Sequence, residues 1–341
     1  RLATWLHERR LRPADLLGDV GSQCLRDAGS AGLQRERLEF LLQRGTSVAL
    51  ALERWARGGL WVVSRSDAAY PKRIRQRLKL RAPPLFFGAG EPGLLERGGL
   101  AIVGSRDAGE AALAQTRLIA RRAAEAGLAI VSGGARGVDL AAQQAALEAG
   151  GRVIGVLADS LLRSASQRSN RLALQEGQLV LLSPFHPEAG FQAGQAMSRN
   201  RHIYLLADHS LVIDSDYDRG GTWAGASENL QHRWVPLWVR IPGDGAGNTA
   251  LLERGARALS PEDFAQGDLG VLFGTAPEGR EPLPEPDAVD DAPVHAVYAD
   301  VMTGAAGPAF TVEVAAEVAP VILESAESAE SAESAESAES A

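Results

Sequence analysis

Residues 65–262 predict an α/β fold, a parallel sheet wound on both faces by helices, and three observations carry that expectation. Short apolar runs alternate with longer helical stretches along the whole segment. Residues 132–139 read Ser-Gly-Gly-Ala-Arg-Gly-Val-Asp, between the apolar run 128–131 and an alanine-rich helical stretch at 140–149, which is the order strand, glycine turn, helix. The same punctuation recurs after two further apolar runs, at Gly104-Ser105-Arg106 and, past Asp214, at Gly220-Gly221-Thr222.

The elements follow in order. Residues 1–64 read as a small helical module, with apolar residues at three- and four-residue spacing over 2–10, 33–43 and 46–57. Gly45 and Gly58-Gly59 supply stops, and Trp61-Val62-Val63 is a short strand. Residues 70–90 read as a connecting arm rich in positive charge. Strands are then expected at 100–103, 128–131, 152–157, 179–182, 211–213 and 235–239. Helices are expected at 110–126, 140–149, 168–176, 200–207 and 223–232, with a closing helical turn at 248–255. Residues 263–293, rich in proline, glycine and acid, form an acidic linker. Residues 294–321 have room for two short helices, too little for a core of their own, and Glu-Ser-Ala repeats six times from Glu324 to the end, a solvated and flexible tail.

Composition narrows the class. No apolar run approaches the ~20 residues of a membrane span. Cys24 is the only cysteine, which excludes disulfides within the chain and cysteine-based zinc sites and fits a cytoplasmic protein. The sequence starts at Arg1, without methionine, which leaves targeting open. The net charge of −8 divides unevenly: residues 263–341 carry −16, and residues 1–262 carry +8. A basic body suits a polyanionic partner, and an acidic tail can compete for the same surface. Lys72 and Lys79 are the only lysines, so arginine richness from genome composition is the bland account of the body's charge.

The glycine turns carry the functional signal. A strand-to-helix turn aims bare backbone N–H groups and the positive end of a helix dipole at one point, where α/β proteins hold phosphate. Gly133 and Gly134 admit close backbone approach, and Arg136 adds a planar fork matched to phosphate oxygens. Three such strand ends open onto one crevice at the carboxyl edge of a parallel sheet, which favours an extended, phosphate-bearing ligand.

With these residues in view the chain resembles the DprA/Smf family of bacterial DNA-processing proteins, from about residue 55 to residue 258. Tyr70-Pro71 and Pro83-Pro84-Leu85-Phe86-Phe87-Gly88 match the family's arm, and Ala101-Ile102-Val103-Gly104-Ser105-Arg106 its first turn. Residues 131–139 carry its Val-Ser-Gly-x-Ala-Arg-Gly-hydrophobic-Asp block, followed by Ala145-Ala146-Leu147, Gly150-Gly151, Arg199-Asn200-Arg201 and a closing segment with Asn248, Leu251 and Gly255-Ala256. The resemblance implies a Rossmann-like, non-enzymatic domain that binds single-stranded DNA, forms a homodimer and passes the strand to a RecA-type recombinase in transformation. It calls for no cofactor and no metal. Its binding set is Gly104, Ser105, Arg106, Ser132, Gly133, Gly134, Arg136, Gly137, Arg199, Asn200, Arg201, Gly220, Gly221 and Thr222.

The chain departs from the family in four places. Gln143 replaces a histidine, Ser164-Ala165-Ser166-Gln167 stands where Tyr-Pro is usual, and Asp214-Ser215-Asp216-Tyr217-Asp218-Arg219-Gly220-Gly221-Thr222 stands where Glu-Ala and then Ser-Gly-Ser are common. The winged-helix domain is missing or reduced to residues 294–321. Two other readings share the fold: a nucleotide-ligand sensor in a phage-defence system, and a nucleotide phosphoribohydrolase using Glu228 or an aspartate of 214–218.

Other features favour plain roles. The three aspartates lack the glycine and glutamate of a calcium loop. His202 and His209 are spaced too widely for a ligand pair, and Trp223, Trp234 and Trp238 read as core. In the arm, six basic residues in ten (residues 72–81) either track a DNA backbone or form a solvated face over inward-packing Ile74, Leu78 and Leu80.

Overall fold

The computed structural model describes residues 34–243 and 245–260, with shorter pieces among residues 5–26 and at 262, 263, 272 and 273. The acidic linker from residue 274, the two expected short helices and the Glu-Ser-Ala repeat therefore lie outside the described residues.

Among the described residues nine strands form one sheet: β1 (Leu60–Ser64), β2 (Leu85–Gly90), β3 (Leu100–Val103), β4 (Ile130–Ser132), β5 (Val153–Val156), β6 (Leu179–Ser183), β7 (His209–Val212), β8 (Leu237–Arg240) and β9 (Arg257–Leu259). Their spatial order is β1-β2-β6-β5-β4-β3-β7-β8-β9. From β6 to β9 every pairing is parallel, as the alternation implies. At one edge β2 pairs antiparallel with β6, and β1 antiparallel with β2.

That edge corrects the reading of residues 70–90 as an arm. They hold a helix, α3 (Lys72–Leu78), and strand β2. The proline pair and the dense charge masked both. The basic face over an apolar one is real, since Ile74 and Leu78 are buried, but Leu80 is 91% exposed and does not pack inward. Arg77 Nη1 donates to the carbonyls of Tyr204, Leu205 and Ala207, and Arg73 pairs with Asp208 at 2.5 Å.

Before the sheet come α1 (Arg35–Leu42) and α2 (Gly45–Arg57), in which Gly45 opens a helix instead of stopping one. Trp55 of α2 packs its ring edge-on against Phe87 of β2 at 5.2 Å, so this helix lies on the sheet. Around the parallel strands run α4 (Glu110–Glu125), α5 (Val138–Glu148), α6 (Leu161–Ser166), α7 (Arg168–Gln175), α8 (Ala193–Leu206), α9 (Gly220–His232) and α10 (Ala246–Glu253). Among the described residues no helix is long and apolar enough to cross a membrane.

Strand alternation divides the core in two. Leu100 and Ile102 face one way, onto Ile119 and Ala123 of α4 and Ala142 and Ala146 of α5. Ala101 and Val103 face the other, onto Ile203 and Leu206 of α8 and Trp223 of α9. The alanines of α4 and α5 matter here, because small residues let two helices lie close over the same strands. β3 sits between β4 and β7, so the chain winds outward through β4, β5 and β6 and then returns beside β3. Such a reversal leaves a gap at the carboxyl ends of the two strands, where the following segments diverge.

Candidate functional site

The gap is a cavity of about 370 Å³ at the carboxyl ends of β3 and β7. One side is backbone and small groups: Gly104, Ser105, Gly220, Gly221 and Thr222. Thr222 Oγ1 donates to the Gly104 carbonyl at 2.9 Å, and Asn200 Nδ2 to the Gly221 carbonyl at 2.9 Å, so two of the three glycine turns are fastened together and to α8. The first residues of α9 line the cavity, which puts that helix's unpaired N–H groups and dipole at its edge.

The second turn, residues 133–137, packs under the first. Gly137, at φ +85°, lies so near the Ser105 and Arg106 carbonyls that a Cβ there would sit 2.5 and 2.7 Å from them. Val138 N donates to Ser105 O at 3.3 Å. Asp139 Oδ2 accepts from Gly133 N at 3.1 Å, and Arg199, mid-way along α8, donates to the carbonyls of Gly133 and Val156. Burial pushes the Asp139 carboxyl up to about 6, opposed by the Arg199 charge and by backbone donors of Ala135, Gly133 and Gly104. Gln143, the replacement for the family's histidine, donates to Ser132 O at 3.3 Å and so caps the end of β4.

The expected residues divide by position. Gly104, Ser105, Arg106, Arg199, Asn200, Gly220, Gly221 and Thr222 line the cavity. Gly134, Arg136 and Gly137 stand on the adjoining turn, with Arg136 exposed and reaching Asp107 at 2.5 Å. Ser132 is fully buried and donates to Ile102 O at 2.7 Å, and Gly133 is covered by Arg199 and Asp139. Arg199 is only 4% exposed. Arg201 pairs with Glu228 at 2.9 Å, and neither lines the cavity.

Several lining residues escaped the motif reading. Phe191, 56% exposed, carries the Arg106 guanidinium over its ring at 5.1 Å, and Met197, Ala196 and Ile203 add an apolar wall from α8. The helix starts at Ala193, about two turns before the expected start at Asn200. Its first turns lack apolar periodicity because they bury Gln195 and Arg199 as well as Ala196. Nothing in the local sequence marks Phe191, which precedes a helix whose start was not legible. Asp139 did have a signal, its place in the glycine block.

Two further expectations concern the histidines and tryptophans. His202 is fully buried against Phe86 at 5.5 Å, and among the described residues no group of acids, histidines or cysteine is arranged to hold a metal. Trp223 is buried, with Trp234 and Trp238 packed part-buried in the core clusters.

Fold and crevice define a class: a doubly wound α/β protein whose glycine turns, helix N-termini and arginines converge at the switch point of the sheet. More specifically, the profile of the family described as DNA recombination-mediator protein A matches residues 61–267, and the chain belongs to that family. It is 28% identical over 212 residues to DNA processing protein DprA of Bacillus subtilis, a match covering 60% of this chain and 68% of the relative. It is 35% identical over 191 residues to Protein Smf of Escherichia coli, covering 54% of this chain but half of that protein. Among solved structures, DprA of Helicobacter pylori, described for its single-stranded DNA binding mode, aligns at a TM-score of 0.50 with 26% identity, covering 64% of this chain and 97% of that one. DprA of Streptococcus pneumoniae shares the fold at a TM-score of 0.52 and 24% identity, covering 63% and 78%.

Proposed function

We propose that this chain holds single-stranded DNA by its phosphates across the crevice at the carboxyl ends of β3 and β7. On this reading it is a non-enzymatic DNA-processing protein that works as a homodimer and hands the strand to a RecA-type recombinase. The observation that carries the reading is the convergence of Arg106, the Gly104 and Gly220 turns and the α9 N-terminus on one cavity. Backbone N–H groups and guanidinium forks grip phosphates without reading base edges. The single-stranded DNA binding of the H. pylori relative supports it.

The residues divide the labour. Arg106 and Arg136 are exposed cations of the first two turns, and Arg219 is a third, on the lining before α9. The Arg136–Asp107 pair is 76% and 80% exposed, so it contributes little in water and yields readily to a phosphate. Ser132, Gly133 and Arg199 act beneath the surface, fixing the turns from which the N–H groups project. Asp107 and Asp216 on the lining disfavour a phosphate at their own positions, which steers the backbone toward Arg106. A phosphoribohydrolase acting through Glu228 gains little support: Glu228 is paired with Arg201 and lies off the cavity.

The test is a salt-resolved titration of single strand, duplex and small nucleotides against wild type and the Arg106→Ala, Arg136→Ala double variant. Single-strand affinity should fall steeply with salt. The double variant should bind unrelated sequences more weakly by a similar factor, with a log–log salt slope shallower by about 0.7 for each phosphate no longer neutralised. Unchanged single-strand binding by a folded double variant would overturn the assignment.

A further inference from the structure

The basic face of α3 is a second charged surface, which the phosphate reading of the crevice leaves unused. From Arg65 to Pro84 the sequence holds seven basic residues and one acid, Asp67. Two of the seven serve the fold, Arg73 on Asp208 and Arg77 on the carbonyls that end α8. Lys72, Arg75, Lys79 and Arg81 are exposed, and none of the four lines the crevice. Where the helix ends, Lys79 takes φ +50° and ψ −119°, a conformation that an L-residue rarely adopts and that glycine would hold without strain. Beyond that bend Leu80 stands outward, 91% exposed. The turn is nevertheless held at both ends. Leu78 and Ala82, two residues before and after Leu80, are buried, and the fully buried Tyr70 donates its hydroxyl to Pro83 O at 2.7 Å. Arg65 Nη1 donates to Leu80 O at 3.0 Å.

We propose that Lys79-Leu80-Arg81 is a wedge for duplex DNA. Leu80 enters a base step, and Lys79, Arg81 and Arg75 take the flanking phosphates. The surface is separate from the crevice, so the proposal goes beyond the single-stranded DNA reading and does not depend on its contacts.

Three features favour a duplex over other partners. Single strands are gripped by stacking on exposed aromatic rings, and the only aromatic residue between Arg65 and Pro84 is Tyr70, which is fully buried. A duplex presents one charge per ~1.7 Å of its axis against ~3.4 Å for one strand, which suits cations gathered on one short helix and its turn. A lone leucine is too small an apolar patch to seat a folded protein, whereas one aliphatic side chain flanked by cations is how minor-groove binders pry a base step open. Prying needs a tip that does not give way when pushed, and the buried residues on either side of Leu80 supply it.

The experiment measures fluorescence anisotropy over a salt series, on a blunt duplex of mixed sequence and on one of its strands alone. The proteins are wild type, Leu80→Ala, the Lys79→Gln, Arg81→Gln double variant, and the Arg106→Ala, Arg136→Ala double variant of the crevice. Wild type should bind the duplex, and the crevice variant should bind it equally well. Leu80→Ala, which removes an exposed side chain and should melt with wild type, should lose roughly tenfold on the duplex and nothing on the single strand. The Lys79→Gln, Arg81→Gln variant should flatten the log–log salt slope on the duplex by about 0.9 for each phosphate no longer neutralised. A donor–acceptor pair on the duplex ends should draw together on binding wild type but not on binding Leu80→Ala, the mark of a kink. Unchanged duplex affinity in Leu80→Ala, or a duplex that stays straight on wild type, would overturn the wedge. Equal losses on duplex and single strand in the α3 variants would overturn it by placing the crevice strand's own path over α3. Loss of duplex binding in the crevice variant would place the duplex in the crevice, and no duplex binding by wild type would leave this face to an acidic protein; either result overturns the proposal. The single-strand reading is judged on the crevice variant alone, so the two readings fail separately.

Discussion

Replacing Gly137 by alanine tests how closely the two glycine turns are joined. Two costs are expected. At φ +85° and ψ −129° an alanine occupies a region essentially reserved for glycine, which costs an L-residue about 1–3 kcal/mol. Its Cβ would also stand 2.5 Å from Ser105 O and 2.7 Å from Arg106 O, both backbone atoms that can give way only if the turn moves. Overpacking of that kind adds about 1–3 kcal/mol. Gly150→Ala is the control for a positive φ without a close approach, at φ +72° with nothing within 4 Å of the new Cβ. Urea unfolding should find Gly137→Ala the more destabilised of the two by about 1–3 kcal/mol. Because the turn that must move carries Arg106, Gly137→Ala should also weaken single-strand binding, while Gly150→Ala should not. Equal destabilisation by the two variants would refute the idea that the turns are in contact, whatever their affinities for DNA.

Three further outcomes are expected. The Asp139 carboxyl, raised to about 6, contributes stability that is fully present below the usual carboxyl value and lost as pH rises through about 6. Wild-type stability should therefore fall across pH 4–6 relative to Asp139→Asn, and parallel pH profiles in urea unfolding would show that Asp139 does not titrate there. Glu228→Gln leaves the partly buried Arg201 without its 2.9 Å ion pair and should destabilise by about 1–3 kcal/mol in thermal unfolding, with nucleotide hydrolysis absent in both proteins. An unchanged melting temperature would mean the pair is immaterial. Deleting residues 282–341, which hold most of the −16 of residues 263–341, should tighten single-strand binding at low salt and change it little at high salt. Equal affinities at low salt would reduce the tail to a solvated appendage.

The parallel strands β3 to β8 were legible because each is a short apolar run packed between helical layers, whereas β9, two of whose three residues are exposed, was not expected. β3 matched residue for residue, and the boundaries of β4 to β8 shifted by at most two positions. At the antiparallel edge β1 was expected and β2 escaped. β2 begins right after a proline pair and contains Gly88, whose missing Cβ makes room for the Trp61 ring, so its code is a fit to a neighbour and not a pattern of its own. The start of α8 escaped for a similar reason: Gln195 and Arg199 are polar residues buried by tertiary packing, and periodicity counts them as surface. At the site, the motif named the turns but not their depth. Nothing in a sequence distinguishes an arginine that faces solvent, such as Arg136, from one that cross-links strand ends, such as Arg199.

Arg199 has a consequence for the thermodynamics of any complex made at this crevice. One guanidinium inserted from α8 ties the chain leaving β4 to the last residue of β5, through Gly133 O and Val156 O, with Asp139 beside it. Lifting α8 to widen the crevice would strand that cation among unpaired carbonyls, a change comparable to local unfolding and not to a loop motion. The receptor is therefore pre-set, and the loss of conformational freedom on association falls almost wholly on the ligand. Calorimetry on strands of graded stiffness should show it: stiffer strands should gain in the entropy of binding, while the protein's own amide exchange around β4 and β5 stays as slow in the free state as in the bound.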